Sequence, residues 1–172
     1  MKSRSQAFLV LPFFLILLVM GCSTITVGVP EWSGSGFLRK EFLEYKSVAV
    51  LPFEGDDSGE VSDAFTESFH ERFPQIAIVD RKRFLEVFGD TALNTGQLNN
   101  AMREKVGKTL AVQALIRGDV YYLSIVRWLL QVEIVDTGTG KMIGRSMVEI
   151  NFMGAEGKKK GARFAVEKLT LW

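Results

Sequence analysis

Residues 46–73 read KSVAVLPFEGDDSGEVSDAFTESFHERF, and the change of period inside this stretch decides the fold. Lys46 to Phe53 is a short apolar run stopped by Pro52, which suits a buried strand whose end no longer needs a ladder donor. Glu54 to Gly59 is acidic and glycine-rich, and reads as a loop. Asp57 as N-cap, with Glu60 three residues on as its capping-box partner, predicts a helix start there. Val61, Ala64, Phe65, Phe69 and Phe73 then recur at helical spacing and give one apolar face, which Pro74 closes. A buried strand feeding a one-sided helix is the opening unit of an α/β domain.

Toward the carboxyl terminus the same punctuation continues. Ile76–Val79 reads as a second short strand. Asp80 stands where it can cap a helix over 81–88, with Phe84, Leu85 and Phe88 on one side and Gly89 at its end. A further helix is expected over 97–110, with Leu98, Ala101, Met102, Val106 and Leu110 as its stripe. Residues 114–123 form a third strand containing Gly118. Residues 127–136 and 141–152 flank Thr137-Gly-Thr-Gly140 and predict a hairpin. In its first arm Trp128, Leu130, Val132 and Ile134 alternate with Arg127, Gln131 and Glu133, so one face of the sheet is expected to be wet. A last helix covers 156–171. The expected fold is α/β: a mixed sheet of about five strands flanked by helices, occupying residues 46–172.

Toward the amino terminus the chemistry changes. Met1–Gln6 carries Lys2 and Arg4 and no acid, and Ala7–Met20 is an unbroken apolar run containing Pro12. Gly21 and Cys22 close it. A basic start, a short apolar stretch and a small residue at the cut are the parts of a secretory signal, and a bilayer span wants about 20 apolar residues. Cys22 is the only cysteine among 172 residues, so no internal disulfide forms. Ser23–Ser35, with its glycine and proline breaks, reads as a tether, which makes residues 22–45 the anchored cysteine and spacer. Trp32 within it suits either a membrane interface or packing on the domain. Without Lys2 and Arg4 the 21 basic residues become 19 against 20 acidic ones, a net of −1. Such a near-neutral body carries no footprint for nucleic acid.

Val19-Met20-Gly21-Cys22 resembles the bacterial lipobox. The resemblance implies a signal peptide over 1–21, diacylglycerol and palmitate-type acylation on Cys22, and, with Ser23 following, outer-membrane sorting. Acyl chains contribute roughly 0.8 kcal/mol per buried methylene, so several of them hold a domain stably.

Three further stretches carry a resemblance for the body. They are SVAVLPFEG at 47–55, IVDRKRFLEVFGD at 78–90 and VGKTLAVQALIRGDV at 106–120, in that order. The chain is similar there to the CsgG family of curli secretion and its relatives, the LpoB-type lipoproteins. The resemblance implies a TolB amino-terminal-like or anticodon-binding-like domain in the periplasm that binds an envelope protein, with homo-oligomers in some members. Its alternative form is a subunit of an oligomeric CsgG-type curli or secretion channel. Such subunits are longer than the 151 residues from Cys22 to Trp172 and add two membrane-crossing hairpins. Only the hairpin over 127–152 reaches the about 9–11 residues per strand that a barrel needs, and the sheet itself requires it.

The chemistry-bearing residue types are few and scattered. His70, the sole histidine, has no second histidine or thiol to complete a metal site. Asp56, Asp57 and Glu60 lack the alternation of a calcium loop and suit capping. Asp80-Arg81 suits a cap and an ion pair. Gly138 and Gly140 serve the hairpin turn, because no helix follows that could cradle a phosphate. Lys158, Lys159, Lys160 and Arg163 form a basic run that suits solvent, or anionic lipid or glycan. Leu169–Trp172 is an apolar terminus that suits docking on the domain or a partner contact. No nucleophile, base and orienting group can be assembled, so the expectation is a binding protein, not an enzyme, without metal or cofactor.

Overall fold

The computed structural model describes residues 32–89, 99–151 and 155–172. Cys22, the signal segment and the tether up to residue 31 lie outside the described residues, as does Leu98. The elements are β1 (Trp32–Leu38), a 3₁₀ turn (Lys40–Glu44), β2 (Ser47–Val50), α1 (Glu60–Arg72), β3 (Ala77–Val79), α2 (Arg81–Phe88), α3 (Asn100–Leu110), β4 (Ala114–Tyr122), β5 (Arg127–Asp136), β6 (Met142–Asn151) and α4 (Ala155–Glu167).

The strands form one six-stranded mixed sheet in the order β1-β6-β5-β4-β2-β3. β4, β5, β6 and β1 pair antiparallel, and β2 lies parallel to both β4 and β3. The expected α/β mixed sheet is present, with one strand more than expected. That strand, β1, comes from the stretch read as tether, so residues 32–45 belong to the folded body along with those from 46 on. Its small residues hid it from a periodicity reading. A Cβ on Gly34 would lie 2.7 Å from the Met147 carbonyl oxygen, and one on Gly36 2.6 Å from that of Arg145. The strand therefore uses glycines at places where side chains would otherwise announce the alternation. Leu38 and Phe42, at 0% exposure, complete the case for including residues 32–45 in the domain.

One sheet face is fully covered. Trp128, Leu130, Val132 and Ile134 of β5 pack with Phe65 and Phe69 of α1 and Ala162, Ala165 and Val166 of α4. Phe42 meets Phe69 and Phe73 edge-on at 5.9 and 5.6 Å, a geometry that adds about 0.5–1.5 kcal/mol per pair to burial, and Phe69 and Phe73 lie tilted at 4.9 Å. A second, smaller core of Ala49, Leu51, Phe84, Val106, Val112 and Leu115 lies on the opposite face, where α2 packs on β2 and α3 on β4.

The helix ends show one correction. α1 starts at Glu60 behind Gly59, whose φ of 73° is left-handed, and Asp57 makes no cap. Instead the Asp56 carboxylate accepts from the Val61 and Ser62 backbone N–H groups at 3.1 and 2.9 Å and from the Ser62 hydroxyl at 3.0 Å. Asp80 caps α2 as expected, accepting from Arg83 N–H at 2.9 Å, and Gly89 ends it at φ 70°. α3 is capped by Asn99, and Ala101 of its expected stripe is exposed while Arg103 is buried.

Candidate interaction surface

On the sheet face away from α1 and α4, α2 and α3 pack over Ala49, Leu51 and Leu115 of the β2 and β4 end, and the rows that begin at Arg117 lie beyond that core. Strand register sorts this open face into rows. Arg117, Glu133, Arg145 and Phe37 stand side by side across four strands. Asp119, Gln131, Met147 and Ser35 form the next row, then Tyr121, Leu129 and Glu149.

Glu133 is the hub. The Arg117 Nε donates to its Oε2 at 2.8 Å, and Nη2 of the same guanidinium donates to that oxygen as well. Gln131 Nε2 donates to Oε1 at 3.1 Å, and Arg145 Nη2 turns to Gln131 Oε1 at 2.9 Å while its Nε stays 3.8 Å from Glu133. Glu133 is left only 5% exposed. The sequence placed it on a wet face; the flanking arginines cover it, lying along the sheet with their stems down. Their side chains remain 36% and 39% exposed. Shallow hollows flank the cluster. One of about 210 Å³ is lined by Leu51, Leu115, Arg117, Glu133 and Met142 together with Arg103 of α3, and one of about 290 Å³ by Ser35, Phe37, Arg145 and Met147. At the edge of this face burial, and then the neighbouring Glu54, push the Asp119 carboxyl above its ordinary value.

Half-exposed arginines held by a buried carboxylate, beside phenylalanine, methionine and leucine, offer charge-assisted hydrogen bonds and apolar contact. Arginine, methionine and aromatic residues are the types enriched where proteins meet.

The residues singled out in the sequence lie elsewhere. His70 is exposed on α1. Asp56 is spent on its cap, and among the described residues no group of three or more His, Cys, Asp or Glu side chains could hold a metal ion. Arg81 lies 3.5 Å from Asp63. Gly138 and Gly140 make the β5–β6 turn. Lys159, Lys160 and Arg163 are exposed on α4, with Arg163 3.6 Å from Glu67. At the terminus Leu169 is buried, and the backbone of Thr170 and Trp172 bonds to Leu38, while the Trp172 ring meets Phe37 at 6.5 Å. That tail docks on the outer edge of β1. The Arg117–Glu133–Arg145 cluster escaped notice because its members lie on three strands; only the register joins them.

Fold and surface thus define a mixed-sheet α/β domain with part of its second face uncovered. No protein-family model matches the chain, and no curated protein matches it in sequence. Among solved structures, the PelC dodecamer from Paraburkholderia phytofirmans shares the fold at TM-score 0.52 and 10% identity, covering 80% of this chain and 94% of that one. A point variant of the same dodecamer gives TM-score 0.52 at 8% identity over 80% and 96%. The LpoB carboxyl-terminal domain from Salmonella enterica aligns at TM-score 0.47 and 11% identity, over 62% and 82%.

Proposed function

We propose that this chain is an envelope lipoprotein, tied by lipid on Cys22 to the outer membrane and facing the periplasm. Its α/β domain binds an envelope protein as a scaffold or activator, as in the LpoB-like reading of the sequence, and does no chemistry of its own. One observation carries the binding role: the ordered Arg117–Glu133–Arg145 row, with Phe37 and Met147 beside it, on the part of the second sheet face that lies beyond the α2–α3 core. A photo-crosslinking residue in place of Met147, in the intact envelope, should capture a discrete partner band. The same residue at His70, exposed on α1, should not. Equal capture at both positions, or none at either, sinks the reading. The anchor is tested by labelled palmitate, which should enter the wild-type chain and not Cys22→Ala.

A second reading is a homo-oligomer, favoured by the match to a fold whose PelC example is a dodecamer. Detergent extracts would then show a discrete large species; a monomer at high concentration ends that reading. A CsgG-type channel is less favoured. The hairpin β5–β6 is held between β4 and β1, with Trp128, Leu130, Val148 and Ile150 sealed in the core.

A further inference from the structure

The β4–β5 connection exposes apolar side chains that the fold itself does not use. Ile125 is 92% exposed, Tyr122 55%, Leu123 53%, Val126 49% and Tyr121 48%, interrupted only by Ser124. Single exposed hydrophobes are ordinary, but a contiguous cluster at one projecting turn marks an interaction site.

The backbone of this turn is closed on itself. Leu123 N–H and Ser124 N–H donate to the Arg127 carbonyl at 2.9 and 3.0 Å. The Ser124 hydroxyl accepts from Val126 N–H and Arg127 N–H at 3.3 and 3.1 Å. Four of the five backbone N–H groups from Leu123 to Arg127 are thus satisfied within the turn, which lowers the cost of contact with lipid. It is far shorter than a spanning strand of about 9–11 residues, so it would rest in the interface. Tyr121 and Tyr122 are of the amphipathic type that sits there.

Sheet register shows which way the tip points. Trp32 pairs with Ile150, Ile150 with Trp128, and Trp128 with Tyr122. β1 therefore starts at the same end of the sheet from which the tip projects. Cys22 stands ten residues before Trp32. Ten extended residues reach at most about 35 Å, so lipid on Cys22 keeps this end of the domain near the bilayer. α4, from Ala155, follows β6 in sequence and brings exposed Lys159 and Lys160, and exposed Asp57 in the β2–α1 loop offsets them, so the apolar side chains of the tip are what this end offers a bilayer.

We propose that the Tyr121–Val126 tip docks into the headgroup region of the bilayer that anchors Cys22, orienting the domain on the membrane. This rests on the lipoprotein reading above. Because Cys22 is the only cysteine and lipid blocks its sulfur, Ile125→Cys in the full lipidated chain provides one free thiol for an environment-sensitive NBD probe. On vesicles of phosphatidylethanolamine and phosphatidylglycerol, the probe at 125 should shift to the blue and be quenched several-fold by doxyl lipids. The same probe at Gly138→Cys, in the β5–β6 turn about 30 Å away along the strand, should stay at its aqueous emission. An aqueous signal at 125, in chain that floats with the vesicles, overturns the proposal and leaves the anchor intact. A probe aqueous on vesicles but shielded in intact cells also overturns it and assigns the tip to a protein. Chain without palmitate refutes the anchor and the docking together.

Discussion

Arg103 on α3 reaches the β5–β6 turn, where its Nε donates to the Thr137 carbonyl at 3.0 Å while its Nη1 donates to Asn100 Oδ1 at 2.6 Å. The turn is shaped to receive it. Gly140 has φ 72°, and a Cβ there would lie 2.5 Å from the guanidinium. Thr137 Oγ1 in turn lies 3.0 Å from the Val112 and Gln113 carbonyl oxygens, so α3, the start of β4 and the hairpin turn are joined by one arginine and one threonine.

Arg103→Met should keep the packing of the stem and lose the donors. Leaving a buried carbonyl unpaired costs about 1–3 kcal/mol, and urea unfolding should show a lower midpoint at unchanged slope. A neutral outcome would mean water replaces the guanidinium at Thr137.

Asp56 and Asp57 should separate cleanly. Asp56→Ala strips α1 of three hydrogen bonds and should cost about 1–2 kcal/mol, whereas Asp57→Ala, at an exposed loop position, should stay within about 0.5 kcal/mol. The reverse ranking in urea melts would restore Asp57 as the cap.

This pair also marks how far the sequence can be read. The strand at 47–50, the apolar stripe from Val61 to Phe69 and the cap at Asp80 were all legible because each declares itself within a few residues. The cap of α1 was not, since two adjacent aspartates fit one motif and the left-handed Gly59 decides between them. β1 was invisible because Ser33, Gly34, Ser35 and Gly36 carry no alternation, only a fit against β6. Glu133 was placed on the right face with the wrong exposure. Alternation gives direction, whereas burial came from arginines at positions 117 and 145 on neighbouring strands. The run Tyr121–Val126 was in plain view, but nothing local tells a strand end from a projecting tip.

The Tyr45 hydroxyl donates to Asp136 Oδ2. Burial pushes the Asp136 carboxyl up, but hydrogen bonds from Tyr45, from Thr139 backbone and hydroxyl, and from Gly138 N–H outweigh it and hold the carboxyl below its ordinary 3.8. Burial and the same bond raise the Tyr45 phenol. A depressed folded-state value means stability that is present above 3.8 and lost as pH falls through the folded value. Tyr45→Phe should therefore flatten the acid limb of a stability-versus-pH curve, most visibly below about pH 4. An unchanged limb would show that Thr139 and Gly138 suffice.

Gly118 lies under an aromatic ring: a Cβ there would approach three ring carbons of Phe53 at 2.6–2.7 Å. Phe53 is 4% exposed and itself meets Phe65 at 5.5 Å, so the ring cannot step aside cheaply. Alanine at 118 should cost about 1–3 kcal/mol by overpacking, read as a lower Tm, and Phe53→Leu should recover part of it in the double variant. Additive losses would deny the contact.

Glu133→Gln keeps the shape of the side chain but removes the charge that holds Arg117 and Arg145 flat against the sheet. Because both guanidinium groups are more than a third exposed, solvent screens much of the lost attraction, and the stability cost should be only about 1 kcal/mol. The effect on partner capture should be larger. Freed arginines regain rotamer entropy that association must then remove, at about 0.5–1.5 kcal/mol for each long side chain, so crosslinking from position 147 should fall several-fold while the fold survives. Arg145→Gln should weaken capture at still smaller cost to the fold, since Glu133 keeps both bonds from Arg117. If Glu133→Gln leaves capture unchanged, or reduces it only as far as the chain unfolds, the ordered arginine row is a stabilising lattice and the partner binds elsewhere.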